Sequence, residues 1–230
     1  MSTPIKEGDM TGTFDFLRQL SENNNRPWFK EHKEHFDSLR EHWFIRLQQL
    51  IDAMTKWDGS FAGITAKQAT YRIYRDTRFS LDKTPYKTYF SASVTPHNRR
   101  HKYGGYYIEL GPGPNQCGLY GGLWCPDSRT LTKLRKAIVD NREEWEEILS
   151  DPQINKLYPG WCGSSLKTIP KGWNKDHPLA EYLRLKDYGK CHRPDNGFFN
   201  DPCWPEHAAE LFRHLKPLVD FLNYSIDEDV

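Results

Sequence analysis

The residues best equipped for chemistry stand together at positions 71–90, where Arg72, Arg75, Arg78, Lys83 and Lys87 are interleaved with aromatic side chains and opposed only by Asp76 and Asp82. Arginine offers a planar fork of donors that matches phosphate or carboxylate oxygens two at a time, and lysine adds a mobile point charge. Tyr74, Phe79, Tyr86 and Tyr89 can stack a base or cover the apolar part of a ligand. The pattern points to a site for a small phosphate- or carboxylate-bearing ligand. In it Arg72, Arg75 and Arg78 clamp the anion, Lys83 and Lys87 supply longer-range charge, and Tyr74, Tyr86 and Tyr107 shape the wall. The same residues allow a plainer assignment. Arg75 shares a strand side with Tyr71 and Ile73, and a partly buried cation there needs Asp76, Asp82 or Glu109 as partner, which would make the arginines structural staples.

Catalysis would require an acid or base within hydrogen-bond reach of those arginines, and the candidates are Glu109 and His177. His177 follows Asp176, but neighbours in sequence usually point apart, and Asp176 serves equally as a helix cap. Metal binding is not expected. Cys191, His192, Cys203 and His207 lack the tight Cys pairing of a structural zinc site, and His32 and His35 fall in no helical metal motif. No phosphate-binding glycine loop opens a helix, and Gly163-Ser-Ser165 has no nucleophile elbow around it, so no cofactor is implied. The glycine pairs 104–105 and 121–122 suit either a close ligand approach or a tight strand bend.

The elements that must position these residues follow from periodicity. Thr13 is expected to cap a short helix carrying Phe14, Leu17 and Leu20. A long helix is expected from Pro27, with Phe29, Phe36, Leu39, Trp43, Leu47, Leu50 and Met54 on its buried stripe and Lys33, Asp37, Arg40 and Glu41 on a solvated face. From about residue 70 to 125 the period changes to two. Strands are expected at 71–74, 86–94, 105–110 and 116–124, with turns at 96–102 and 111–115. Asp127 or Ser128 should cap a helix running through Leu131, Leu134, Ile138, Trp145 and Leu149 to Pro152. Residues 159–173 read as irregular, 179–185 as a short helix, and Pro205 opens a last helix that Pro217 should kink or split. Strands gathered between two sets of helices predict an α+β domain, with a mostly antiparallel central meander packed by helices from the N- and C-terminal thirds. The expected organisation is a flexible tail at 1–12, one globular domain at 13–224 and a frayed acidic end at 225–230.

Of the 230 residues 37% are hydrophobic and 27% charged, and no apolar run approaches the roughly 20 residues of a membrane span. A polar N-terminus without a secretory core, and five cysteines read as reduced thiols, predict a soluble cytoplasmic protein. The net charge of +1 is not the basic excess of a nucleic-acid-binding domain, although Arg99-Arg-His-Lys102 would extend a basic surface. Four functions remain in play: binding of a small anion, an enzyme acting on it, nucleic-acid binding, and a scaffold whose arginines only staple a loop. No feature sets the oligomeric state.

The succession Asn24-Asn-Arg-Pro-Trp-Phe29, residues 72–87, Gly104-Gly-Tyr-Tyr107, Gly121-Gly-Leu-Trp124, Pro170-Lys-Gly-Trp-Asn-Lys-Asp-His-Pro178 and Leu215-Lys-Pro-Leu-Val-Asp-Phe-Leu222 resembles the family catalogued as domain of unknown function 2461. The resemblance runs from about Phe14 to Asn223. It implies a single globular domain, and it carries over no catalytic residue.

Overall fold

The computed structural model describes residues 10–96, 103–113 and 115–227. Ten α-helices and a four-stranded antiparallel sheet make an α+β fold among these residues. In chain order the helices before the sheet are α1 (Thr11–Glu22), α2 (Arg26–Glu31), α3 (Lys33–Thr55) and α4 (Ala66–Ala69). The strands β1 (Phe90–Val94), β2 (Gly105–Leu110) and β3 (Gly118–Leu123) follow, then α5 (Ser128–Asp140), α6 (Arg142–Ser150), α7 (Pro152–Leu157) and α8 (Ala180–Leu183). The last elements are β4 (Tyr188–His192), α9 (Trp204–His214) and α10 (Lys216–Asp227). The sheet order is β1-β2-β3-β4, so the expected meander is extended by a fourth strand from much later in the chain. None of the helices described is long and apolar enough to cross a membrane.

The chain divides into two compact units, the first drawn from the described residues of Met1–Asn98, Tyr107–Leu119 and Arg193–Glu210. Its core is aromatic. Phe29 stacks on Tyr86 with centroids 4.0 Å apart, Phe36 lies 5.0 Å from Phe29, and Trp43 stacks on Trp204 at 6.4 Å. The expected stripe of α3 is buried throughout, but the long helix is broken at His32. Asn25 caps α2 by accepting from the Trp28 N–H, Pro27 occupies the first turn, and the His32 ring stacks on Trp28 at 4.0 Å with Nδ1 2.8 Å from the Trp28 carbonyl. That side-chain bond to a carbonyl of the preceding turn marks the joint at which α3 restarts. Thr13 is buried within α1 and does not cap it. Met10, placed above in a tail, is fully buried, and its N–H donates to Phe199 O at 3.2 Å.

The second unit is drawn from the described residues of Arg99–Tyr106, Tyr120–His192 and Leu211–Val230. Asp127 caps α5 as expected, but Asn141 ends it and α6 begins anew, while Pro152 opens α7 at its first turn. Trp145 sits at the centre of this core, stacked on Trp161 at 5.8 Å and 5.2 Å from Phe221. The expected break near Pro217 falls at Leu215, between α9 and α10. Ser225 and Ile226 are buried on α10, so the helix persists where a frayed end was expected. The close pairing of β3 with β4 needs two glycines. A Cβ on Gly122, whose φ is +134°, would stand 2.1 Å from Tyr188 O, and one on Gly189 would stand 2.2 Å from the Trp124 ring. The bend reading of the Gly121-Gly122 pair therefore holds, because the chain itself fills the space.

The cysteines depart from the expectation of five reduced thiols. Cys162 N–H donates to Gly189 O at 2.8 Å, which lays this segment along β4 and joins Cys162 to Cys191 in a disulfide. Cys117, Cys125 and Cys203 are free thiols. The turn at 97–102, Pro114, most of the expected tail and residues 228–230 lie outside the described residues.

Candidate functional site

A two-stranded arm carries the basic aromatic residues, and it is less regular than a hairpin of two strands. Thr70 bridges to Ala92 and Tyr74 to Tyr86, with Tyr71 N–H donating to Ser91 O, Lys87 N–H to Ile73 O and Arg75 N–H to Pro85 O. Pro85 has no N–H to return, so the ladder ends there and residues 76–84 form the apical loop. Two side chains fix the arm. Asn24 imitates a strand edge, donating to Tyr86 O at 2.9 Å and accepting from Tyr86 N at 3.1 Å. The fully buried Trp43 on α3 donates its indole N–H to Thr70 Oγ1 at 2.9 Å, and that hydroxyl donates to Ala66 O at 2.8 Å.

The five cations of the arm do not converge on one point. Arg75 is stapled to Asp82 and to the carbonyl and hydroxyl of Thr84. Arg78 takes both oxygens of Asp76, at 3.0 and 2.7 Å, and Lys83 donates to Thr77 O at 2.9 Å. These three bind the apical loop to itself. The Arg78 hydrogen bonds hold the Asp76 carboxyl at about 2, and the Thr84 N–H followed by Arg75 hold Asp82 at about 2. Arg72 and Lys87 remain, and neither side chain has an ion pair or hydrogen bond among the described residues.

Arg72 and Tyr74 line a pocket of about 580 Å³ between the arm and α3. From α3 come Lys33, Arg40, Glu41 and Phe44, and from α4 comes Lys67. Lys33 and Arg40 stand seven residues apart, so two helical turns bring them to one face. Arg40 is held by Asp37 at 3.2 Å and Glu41 at 3.6 Å, its guanidinium 5.6 Å from the Phe36 ring and 5.8 Å from Phe44. Lys33 also pairs with Asp37, whereas Lys67, like Arg72, is exposed and unpaired among the described residues. Sequence reading assigned Lys33 and Arg40 to a solvated face and did not single out Lys67. The signal available was the seven-residue spacing of two cations flanking Phe36 and Phe44. Tyr86 and Tyr107 are not among the residues lining the pocket; Tyr86 is buried on Phe29.

A second cluster surrounds Lys87. Its ammonium lies 5.1 Å from the Tyr71 ring and 5.6 Å from the Tyr89 ring, and Tyr71 in turn lies 6.1 Å from Tyr107. Tyr107 OH donates to Glu109 Oε2 at 2.6 Å. Burial first, and then the Glu109 hydrogen bond, push the Tyr107 phenol well above its ordinary range. Burial also lowers the Lys87 ammonium, with nearby Arg72 acting the same way and Glu109 opposing. Of the two acid–base candidates, Glu109 thus faces the basic residues. His177, in the second unit, accepts from Leu179 N–H on Nδ1 at 3.1 Å. Asp176 does not cap a helix, since α8 begins after Leu179.

The zinc-type residues have other occupations: Cys191 is in the disulfide, His192 Nδ1 is 2.9 Å from Leu157 O, and His207 lies 3.3 Å from Asp201. A family model described as conserved hypothetical protein (DUF2461) matches residues 12–221. No curated protein and no solved structure matches the chain.

Proposed function

The chain belongs to the DUF2461 family, and we propose that it binds a small ligand carrying a phosphate or carboxylate and a flat apolar part, in the pocket between α3 and the arm. The observation that carries this is a pair of exposed cations, Arg72 and Lys67, that line the pocket and make no side-chain hydrogen bond or ion pair to an acid among the described residues. Arg75 and Arg78 are held by acids of the apical loop, which leaves Arg72 and Lys67 as the pocket cations open to a ligand. Arg72 supplies the two-pronged contact to the anion and Lys67 the point charge. Arg40, held against Phe36 and Phe44, adds positive potential from the other wall. Tyr74, half exposed, and Phe44 cover the apolar part of the ligand. In this scheme Arg75, Arg78 and Lys83 make the frame and not the clamp.

Phenyl phosphate and benzoate combine the two features, and inorganic phosphate carries only one. Calorimetric titration should find phenyl phosphate bound more tightly than inorganic phosphate, with Arg72→Ala weakening both. Equal affinity in wild type and variant would remove this function and leave a scaffold. Binding of short oligonucleotides that weakens steeply with salt would replace it with nucleic-acid recognition.

We assign this activity to the cytoplasm on the strength of the three free cysteines. The Cys162–Cys191 disulfide argues the other way, and alkylating the protein as it is taken from cells decides between them: two blocked thiols place it in an oxidising compartment.

A further inference from the structure

The Lys87 cluster has features that anion binding does not use. A half-buried ammonium ordinarily finds a carboxylate or carbonyl, because its three donors lose water on burial. Lys190, which is buried, illustrates this by donating to Tyr158 O at 3.2 Å and Gly160 O at 3.0 Å. Lys87 instead makes no side-chain hydrogen bond or ion pair among the described residues; it lies against the faces of Tyr71 and Tyr89, with Arg72 as a like charge and Glu109 as an opposite one within electrostatic reach. Beside it stands a ready acid–base pair, the Tyr107 phenol hydrogen-bonded to Glu109. Tyr71 joins the two sites, since it touches Lys87 and Tyr107 and also lines the pocket that holds Arg72.

We propose that Lys87 is an amine nucleophile that captures an aldehyde or ketone as an imine, with Glu109 and Tyr107 handling the protons and Arg72 holding an anionic group on the same molecule. The neutral Nζ adds to the carbonyl carbon, forming the C–N bond while the π pair moves to oxygen. Glu109 accepts the proton that nitrogen sheds and passes it to that oxygen, giving the carbinolamine. The hydroxyl then leaves as water on receiving a second proton from the Glu109–Tyr107 pair, the nitrogen lone pair closes the C=N bond, and the remaining N–H proton returns to the pair. One carbonyl compound and one amine become one imine and one water, with no change of oxidation state. Two forces act on the resting amine. The aromatic faces and Glu109 favour the ammonium, while desolvation, the largest influence, and Arg72 favour the free base that reacts.

Only the role of Arg72 rests on the anion-binding function proposed above, and the test separates the two. The protein is incubated with glyoxylate, which carries both groups, or with propionaldehyde, which carries only the carbonyl. Sodium cyanoborohydride then delivers hydride to any imine, and the fixed secondary amine is located by peptide mass spectrometry. Lys87 should label several-fold faster than other lysines with either probe, and glyoxylate should lose its advantage over propionaldehyde in Arg72→Ala. Lys87→Arg keeps the charge and should lose the adduct. Glu109→Gln should slow trapping while leaving the unfolding midpoint of the protein close to wild type. Preferential labelling at Lys87 that ignores Arg72 sustains the nucleophile and refutes the anion clamp. Label spread evenly over the exposed lysines, with Arg72-dependent phenyl phosphate binding intact, refutes the nucleophile alone.

Discussion

Thr70→Val tests the bond that hangs the arm on α3. Valine matches threonine in shape, so the substitution removes a hydroxyl and little else. The Ala66 carbonyl stays satisfied, because the Thr70 backbone N–H also donates to it at 2.9 Å. What is lost is the acceptor of the Trp43 indole N–H, on a side chain with 0% exposure that water cannot reach. An orphaned buried donor costs about 1–3 kcal/mol, more than the roughly 1 kcal/mol net worth of an ordinary hydrogen bond. Urea unfolding should therefore show a loss of about 2 kcal/mol with an unchanged denaturant slope. The control is Thr132→Val, where an exposed hydroxyl bonds back to Ser128 O at 2.8 Å and the change should stay within about 0.5 kcal/mol. In a double-mutant cycle, Trp43→Phe combined with Thr70→Val should cost less than the sum of the two, since both remove the same contact. Equal effects at positions 70 and 132, or strict additivity in the cycle, would refute the anchoring of the arm.

Three further expectations follow from local geometry. Gly122→Ala should cost about 3 kcal/mol or more in thermal unfolding, because the new Cβ meets the backbone of Tyr188 and Gly189 and no rotamer can move it; near-wild-type stability would show that β3 and β4 are not so closely paired. Asp76 and Asp82 are held at about 2 against an ordinary 3.8, so their stabilisation of the apical loop is fully present above pH 3.8 and is lost as pH falls through 2. Carboxyl titration by NMR should find both midpoints near 2, and a midpoint near 3.8 for either would break its contact with the loop. Reducing the Cys162–Cys191 disulfide, which spans 29 residues, should cost about 3–4 kcal/mol by the entropy it removes from the unfolded chain, and an unfolding midpoint insensitive to reductant would contradict the cross-link.

Local patterns carried most of the fold. The α3 stripe, the Asp127 cap and the break near Pro217 were legible because each depends on residues within a few positions of one another. β4 was not. Its Tyr-Gly-Lys-Cys-His sequence has neither alternation nor β-branched residues, and its buried Lys190 is tolerated only because distant carbonyls and the Trp161 ring, 4.7 Å away, receive it. The site divides in the same way. Composition marked Arg72 and Tyr74, and it raised Arg75 with Asp82 as an alternative to the clamp. Lys33, Arg40 and Lys67 looked like solvated helix charges, and only the packing of the arm across α3 turns that face into a pocket wall. The pairing of Glu109 with Tyr107 was equally hidden, since two residues on one side of β2 reveal nothing of the Lys87 that Glu109 reaches electrostatically.

The most direct test of the central claim is calorimetric titration of phenyl phosphate into the wild type and Arg72→Ala. Arg72 is exposed and its side chain makes no hydrogen bond or ion pair among the described residues, so its removal should leave the unfolding midpoint close to wild type. A charge-assisted contact worth about 1.5–3 kcal/mol predicts that the variant binds roughly 10- to 150-fold more weakly. Undiminished affinity in Arg72→Ala, or no heat from the wild type with any anionic ligand, would contradict the account.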